Sequence, residues 1–203
     1  MTNLTRTTLR AAIVSVAGLA GVTRAAAAQG IDARWRAWTG CWRPVSTQGP
    51  LPAATAVCVV PAQGTSAVDI VTVNGKSVDN RVHVVADGIA HAVSRDGCSG
   101  TEKATWSAKG TRLYLSEAMT CDGGITRSGK GVMSIDPRYQ WLDVRGMSAG
   151  TAAGVAVARY DVLLDTAGLP AEVMPAFAAR GPAANNAILA ASAPLTLSDI
   201  ADV

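Results

Sequence analysis

Cys98-Ser99-Gly100-Thr101-Glu102-Lys103-Ala104-Thr105-Trp106-Ser107-Ala108-Lys109-Gly110-Thr111-Arg112-Leu113-Tyr114-Leu115-Ser116-Glu117-Ala118-Met119-Thr120-Cys121 spells out a hairpin. Two runs rich in β-formers flank Ala108-Lys109-Gly110-Thr111, whose glycine tolerates the positive φ of a tight turn. In Arg112-Leu113-Tyr114-Leu115-Ser116 the two leucines share a face, the period-two signature of a half-buried strand. Cys98 and Cys121 are equidistant from Lys109–Gly110. A fold at that turn sets the two sulfurs opposite each other and Glu102 opposite Glu117.

Cys41 and Cys58 repeat the arrangement about Gly49–Pro50, in the turn-rich run Ser46-Thr47-Gln48-Gly49-Pro50. With four cysteines in all and no Cys-x-x-Cys pair of the kind zinc sites favour, the spacing predicts disulfides Cys41–Cys58 and Cys98–Cys121. Each should stabilise by about 2–4 kcal/mol.

Turn signals recur at Asn74-Gly75, Asp87-Gly88, Asp96-Gly97 and Gly123-Gly124, and Asp136-Pro137-Arg138-Tyr139 has the form of a type I turn. Between them the pattern predicts strands near 35–45, 55–60, 67–73, 80–86, 89–95, 101–107, 111–119, 126–135, 139–146 and 153–164. In Trp141-Leu142-Asp143-Val144-Arg145, Leu142 and Val144 share a face. The expected fold is all-β, an antiparallel meander of about ten strands. Closure into a barrel would remove its exposed edges; a two-sheet sandwich is the alternative. The β domain is read as 29–166 and residues 167–203 as a helical tail. The tail holds one helix-like run from Leu169 to Arg180, a break at Gly181-Pro182 and a second run over Ala183–Ala191. The capped start Thr196-Leu197-Ser198-Asp199 lies so near Val203 that a further helical part is expected beyond it.

Residues 1–28 read as a signal peptide: Arg6 and Arg10, then an apolar stretch from Ala11 to Val22 too short to span a bilayer, then Ala26 and Ala28 as an Ala-x-Ala site. Its three arginines account for the chain's whole formal charge of +3, so the remainder carries 15 basic and 15 acidic residues. A neutral chain offers no basic surface for a nucleic acid. No later apolar run is long enough to span a membrane as a helix. Export to a periplasmic or extracellular compartment agrees with the paired cysteines.

Arg34-Trp35-Arg36-Ala37-Trp38-Thr39-Gly40-Cys41-Trp42-Arg43 holds three of the five tryptophans. On a strand, Trp38, Gly40 and Trp42 would share a face. Gly40-Cys41-Trp42 resembles the Gly-x-Trp signature on the first strand of lipocalin-like (calycin) barrels. The resemblance implies a tryptophan packed across the barrel's closed end against an arginine from a late strand, here Arg159, and a small apolar ligand or lipid inside. The candidate ligand-binding residues are Trp38, Trp42, Trp106 and Trp141; the simpler reading is that they plug a core, burying ~150–250 Å² each.

Other motifs yield less. Gly124-Ile125-Thr126-Arg127-Ser128-Gly129-Lys130 matches most of a phosphate-binding loop, but Gly131 stands where Ser or Thr is needed and Val132-Met133-Ser134-Ile135 continues as a strand, so the match is read as chance. His83 and His91 flank Asp87-Gly88; without a third ligand they read as surface histidines rather than a metal or haem site. Glu102 and Glu117 read as solvated groups on the outer face rather than a catalytic dyad. No Ser-x-x-Lys or His-Glu-x-x-His occurs. These readings assign no cofactor, metal or catalytic residue. They point to an exported, non-enzymatic barrel that binds a small apolar ligand or lipid, which requires an open cavity. The alternative, an envelope protein–protein interaction module or protease inhibitor, requires a filled barrel with a protruding loop such as 46–54. An enzyme would require polar groups clustered in a cleft.

Overall fold

The computed structural model describes residues 31–48, 55–62, 64, 66–180, 188, 191 and 192. The signal-peptide reading over 1–28, the loop tip at 49–54 and the capped start at 196–199 lie outside them. Within them the chain forms ten strands: β1 (Gly40–Gln48), β2 (Ala56–Pro61), β3 (Ala67–Asn74), β4 (Ser77–Val85), β5 (Ala90–Arg95), β6 (Cys98–Trp106), β7 (Arg112–Cys121), β8 (Thr126–Ile135), β9 (Trp141–Ala149) and β10 (Ala152–Leu163). A single antiparallel sheet runs β4-β3-β2-β1-β10-β9-β8-β7-β6-β5 and curls through 276°. The pairing of β1 with β10 stitches the meander's two ends together, so the sheet's edges are β4 and β5 and the barrel stays open along one seam.

The hairpins follow their turn residues. Asp96 and Gly97 both take positive φ, 52° and 70°, which lets Arg95 pair with Cys98 across a two-residue turn. Asp136 Oδ1 accepts from the backbone N–H of Arg138 and Gln140 at 2.8 and 3.1 Å, fixing the β8–β9 turn. Both predicted disulfides are present, and in the sheet Cys41 faces Cys58 and Cys98 faces Cys121.

Two local expectations are corrected. The strand expected over 35–45 begins only at Gly40. Asp32 caps a 3-10 helix, Ala33–Ala37, by accepting from Arg34 N at 2.9 Å, and Gly40, at φ 117°, then redirects the chain into β1. Asp87-Gly88 does not close a hairpin. Ala86 N donates to Ser66 O and Gly88 N to Ala104 O, both at 3.0 Å. The dipeptide therefore carries the chain from β3's side of the seam to β6's side, and β4 and β5 part beyond it.

The sheet buries both faces over part of its area. Inside, all five tryptophans form one body. Trp35 lies 4.9 Å from Trp106 and 6.3 Å from Trp38, and Trp42 lies 5.8 Å from Trp141. Trp42 Nε1 joins the two groups by donating to Trp38 O at 2.7 Å. Ile188 and Ala191, from the second expected helical run, pack into the same core. Outside, Cys41–Cys58 with Val60, Val71 and Val73 forms a smaller cluster. It is covered by a 3-10 turn, Ala171–Val173, and a short helix, α1 (Met174–Ala179), through Val173 and Ala176.

The arginine over the closed end is not Arg159, which sits mid-strand in β10 paired with Ser46 and Leu142. It is Arg180, just after α1. Its guanidinium lies 5.2 Å from the centre of the Trp42 ring and donates from Nη1 to Thr39 O at 3.1 Å. A Cβ at residue 40 would fall 2.5 Å from that Nη1, so the glycine of Gly40-Cys41-Trp42 makes room for the arginine. Burial lowers the Arg180 pKa, and the ring face and carbonyl partly replace the lost water.

Candidate functional site

Above the tryptophan body the barrel encloses a cavity of about 1050 Å³. Strand alternation decides what faces it. On the wall of β2 to β4, Val57, Ile70 and Val82 make an apolar surface, which Ala104, Leu115 and Trp141 continue along the lower part of the facing wall. On that facing wall, alternating inner positions of β5 to β9 carry Arg95, Glu102, Glu117, Arg127, Asp143 and Arg145.

These six charges form a ladder across five neighbouring strands. Arg95 Nη2 donates to Glu102 Oε1 and, at 3.2 Å, to Glu117 Oε2. Glu117 Oε1 accepts from Arg127 Nε at 3.0 Å. Arg145 grips Asp143 with both Nε and Nη2, the latter at 3.0 Å. The hydrogen bond to Glu102 is foremost in raising the Arg95 pKa. Burial works against the charge on Arg145, but the Asp143 carboxylate outweighs it and holds that guanidinium ionised. Tyr160, whose ring lies 4.8 Å from Trp141, has its phenol pushed up to about 12, first by burial and then by Asp143. It is a neutral hydroxyl at any physiological pH.

Glu102 does face Glu117 as the hairpin register predicts. The pair points inward, however, not to the outer surface. A carboxylate pair turned toward the cavity is tolerated because arginines on the flanking strands reach it. The segment that imitates a phosphate-binding loop forms part of β8, and its glycines serve the ladder. A Cβ at Gly129 would lie 2.9 Å from Glu117 Cγ, and one at Gly131 2.5 Å from Arg145 Cδ. Bare backbone at alternate inner positions thus lets both long side chains lie flat on the wall.

Of the four tryptophans expected to bind a ligand, Trp141 borders the cavity. Trp38, Trp42 and Trp106 are buried in the body beneath it. His83 and His91 do not face each other. His83 lies on the outer face at the seam and donates from Nδ1 to Asp69 at 2.8 Å, whereas His91 points inward on β5 and binds Asp87 at 3.0 Å. Burial works against the charge on Asp69, but His83 and Arg81 hold its carboxyl below the usual range. Among the described residues no three metal-ligating side chains converge.

The seam gives the cavity a side opening. A cleft of about 180 Å³ between β4 and β5 is bordered by Arg81, Val82 and His83 on one lip and Val93, Ser94 and Arg95 on the other. Val82, Arg95 and Glu102 border both the cleft and the cavity.

The chain matches no known protein-family model and no curated protein sequence. The reading of its function therefore rests on the site.

Proposed function

We propose that this chain is an exported, non-enzymatic binding protein that holds a small molecule with a substantial apolar part inside its barrel. The observation that carries the proposal is the cavity of about 1050 Å³, which lies at the upper end of the range typical of small-molecule sites and is apolar on one side. A barrel serving only as an interaction scaffold gains nothing by leaving that volume unfilled, since close packing is the default of protein interiors. The two disulfides fit an oxidising, extracytoplasmic environment, and the N-terminal Arg6, Arg10 and Ala-x-Ala pattern supports export. Among the described residues no helix is long and apolar enough to cross a membrane.

The clustered charges also raise an enzymatic reading, and their bonding argues against it. Glycoside hydrolysis by two carboxyl groups needs one to give a proton and the other to attack or activate water. Here Glu117 is engaged on both oxygens by arginines, and Glu102 is engaged by Arg95.

The test uses the neutral dye N-phenylnaphthylamine, whose fluorescence rises in apolar surroundings. The wild-type protein should bind it saturably, one to one. Val82→Trp projects an indole into the cavity from an edge strand that can adjust to it, and should weaken binding at least about tenfold while leaving the circular dichroism spectrum unchanged. Equal affinity in the variant, or a signal that never saturates, would refute the proposal.

A further inference from the structure

We infer that the polar end of the bound molecule is an oxyanion, a carboxylate or phosphate on an apolar chain, seated against Arg127 and Arg145. The inference rests on the cavity-binding reading above and follows from counting donors and acceptors on the charged wall.

Ionised carboxylates only accept hydrogen bonds, and guanidiniums only donate, through five N–H groups each. Five of the six carboxylate oxygens on this wall already take a guanidinium nitrogen, and the three guanidiniums have more N–H groups than the three carboxylates have lone pairs. Both oxygens of Glu117 take a guanidinium, both oxygens of Asp143 take Arg145, and Glu102 Oε1 takes Arg95. Donors remain on two of the arginines. Arg127 commits its Nε alone, and its two terminal nitrogens have no protein partner among the described residues. Arg145 commits Nε and Nη2 and has Nη1 to spare.

The wall's unmet capacity is therefore for acceptors. A ligand ending in an ammonium group would have to share carboxylate oxygens with the guanidiniums, since Glu102 Oε2 is the one oxygen of the three carboxylates without a guanidinium among the described residues. A hydrocarbon without a head group would bury the spare N–H groups unmatched. A planar or tetrahedral oxyanion fits the guanidinium fork bidentately, with charge-assisted bonds roughly twice as strong as neutral ones. Its apolar chain then lies against Ile70 and Val82, on the wall across the same cavity, and against Leu115 below the charges.

Isothermal titration with four probes of one chain length, dodecanoate, dodecyl phosphate, dodecanol and dodecylammonium, tests this. At least one oxyanion should bind about ten- to a hundredfold tighter than the alcohol, the range expected for a hydrogen bond to a charged group. The tighter of the two oxyanions identifies the head as carboxylate or phosphate. Arg127→Gln should remove most of that advantage, weakening oxyanion binding far more than dodecanol binding. If Arg127→Gln fails to fold, the four-probe series on the wild-type chain decides by itself. Dodecanol binding as tightly as both oxyanions, or dodecylammonium binding tightest, overturns the inference and leaves the cavity reading standing. Failure of all four probes to bind sinks both.

Discussion

Replacing Trp42 by alanine should destabilise the protein by about 3–5 kcal/mol, the largest effect expected of any single substitution in the barrel. Trp42 is fully buried and sits where three interactions meet. Its indole N–H donates to Trp38 O at 2.7 Å, its ring meets Trp141 edge-on at 5.8 Å, and Arg180 lies over its face at 5.2 Å. Truncation leaves a void the size of an indole in the body that links Trp35, Trp38 and Trp106 to Trp141 and Tyr160. It also strips the Arg180 guanidinium of its aromatic partner, in a site where burial already lowers its pKa. Domains of this size are stable by only about 5–15 kcal/mol in total, so the variant should sit near the edge of folding. Urea unfolding followed by circular dichroism measures the loss. A change below about 1 kcal/mol would mean that the closed end is not plugged by this side chain.

The paired substitution of Cys41 and Cys58 by alanine should cost about 2–4 kcal/mol. The bridge spans a sequence separation of 17, for which loop-closure entropy alone predicts about 3 kcal/mol. Its surroundings add to this. Both cysteines are fully buried in the outer cluster, packed with Val71, Val73, Val173 and Ala176 beneath α1. Loss of the bridge should therefore loosen α1, whose six residues are too few to persist without packing. Because Arg180 follows α1, the closed end should loosen with it. Denaturant unfolding gives the stability change, and proteolysis in the segment 164–180 should quicken in parallel. A variant as stable and protease-resistant as the parent would show that α1 is held by other means.

Most of the strand order was legible because its signals are local. Asn74-Gly75, Asp96-Gly97 and Lys109-Gly110 each reverse the chain within a few residues, and the cysteines equidistant from two of the turns set a register that carries Glu102 onto Glu117. What escaped depends on distant partners. Arg34-Trp35-Arg36-Ala37-Trp38 alternates like a strand, but its geometry is decided by the cap at Asp32 and by Gly40, which must clear an arginine 140 positions along the chain. Asp87-Gly88 has hairpin chemistry, yet backbone bonds to Ser66 and Ala104 pull its two flanks to opposite edges of the sheet. The charged wall was hidden for the same reason. Read singly, Arg95, Glu117, Arg127 and Arg145 look like solvated strand residues, and only the register of β5 to β9 shows that they share the inner face. One trace lay in the sequence: Gly129 and Gly131, two residues apart in a strand, mark backbone that long side chains must cross.

The interior claim is tested most directly by methyl NMR on the wild-type protein, labelled at isoleucine, leucine and valine and titrated with dodecanoate. Val57, Ile70, Val82 and Leu115 should shift together and saturate at one equivalent, while Val60, Val71, Val73 and Val173, under α1 on the opposite face of the sheet, stay in place. Saturable shifts confined to the α1 face, or no shifts at any of these methyls, would contradict the account.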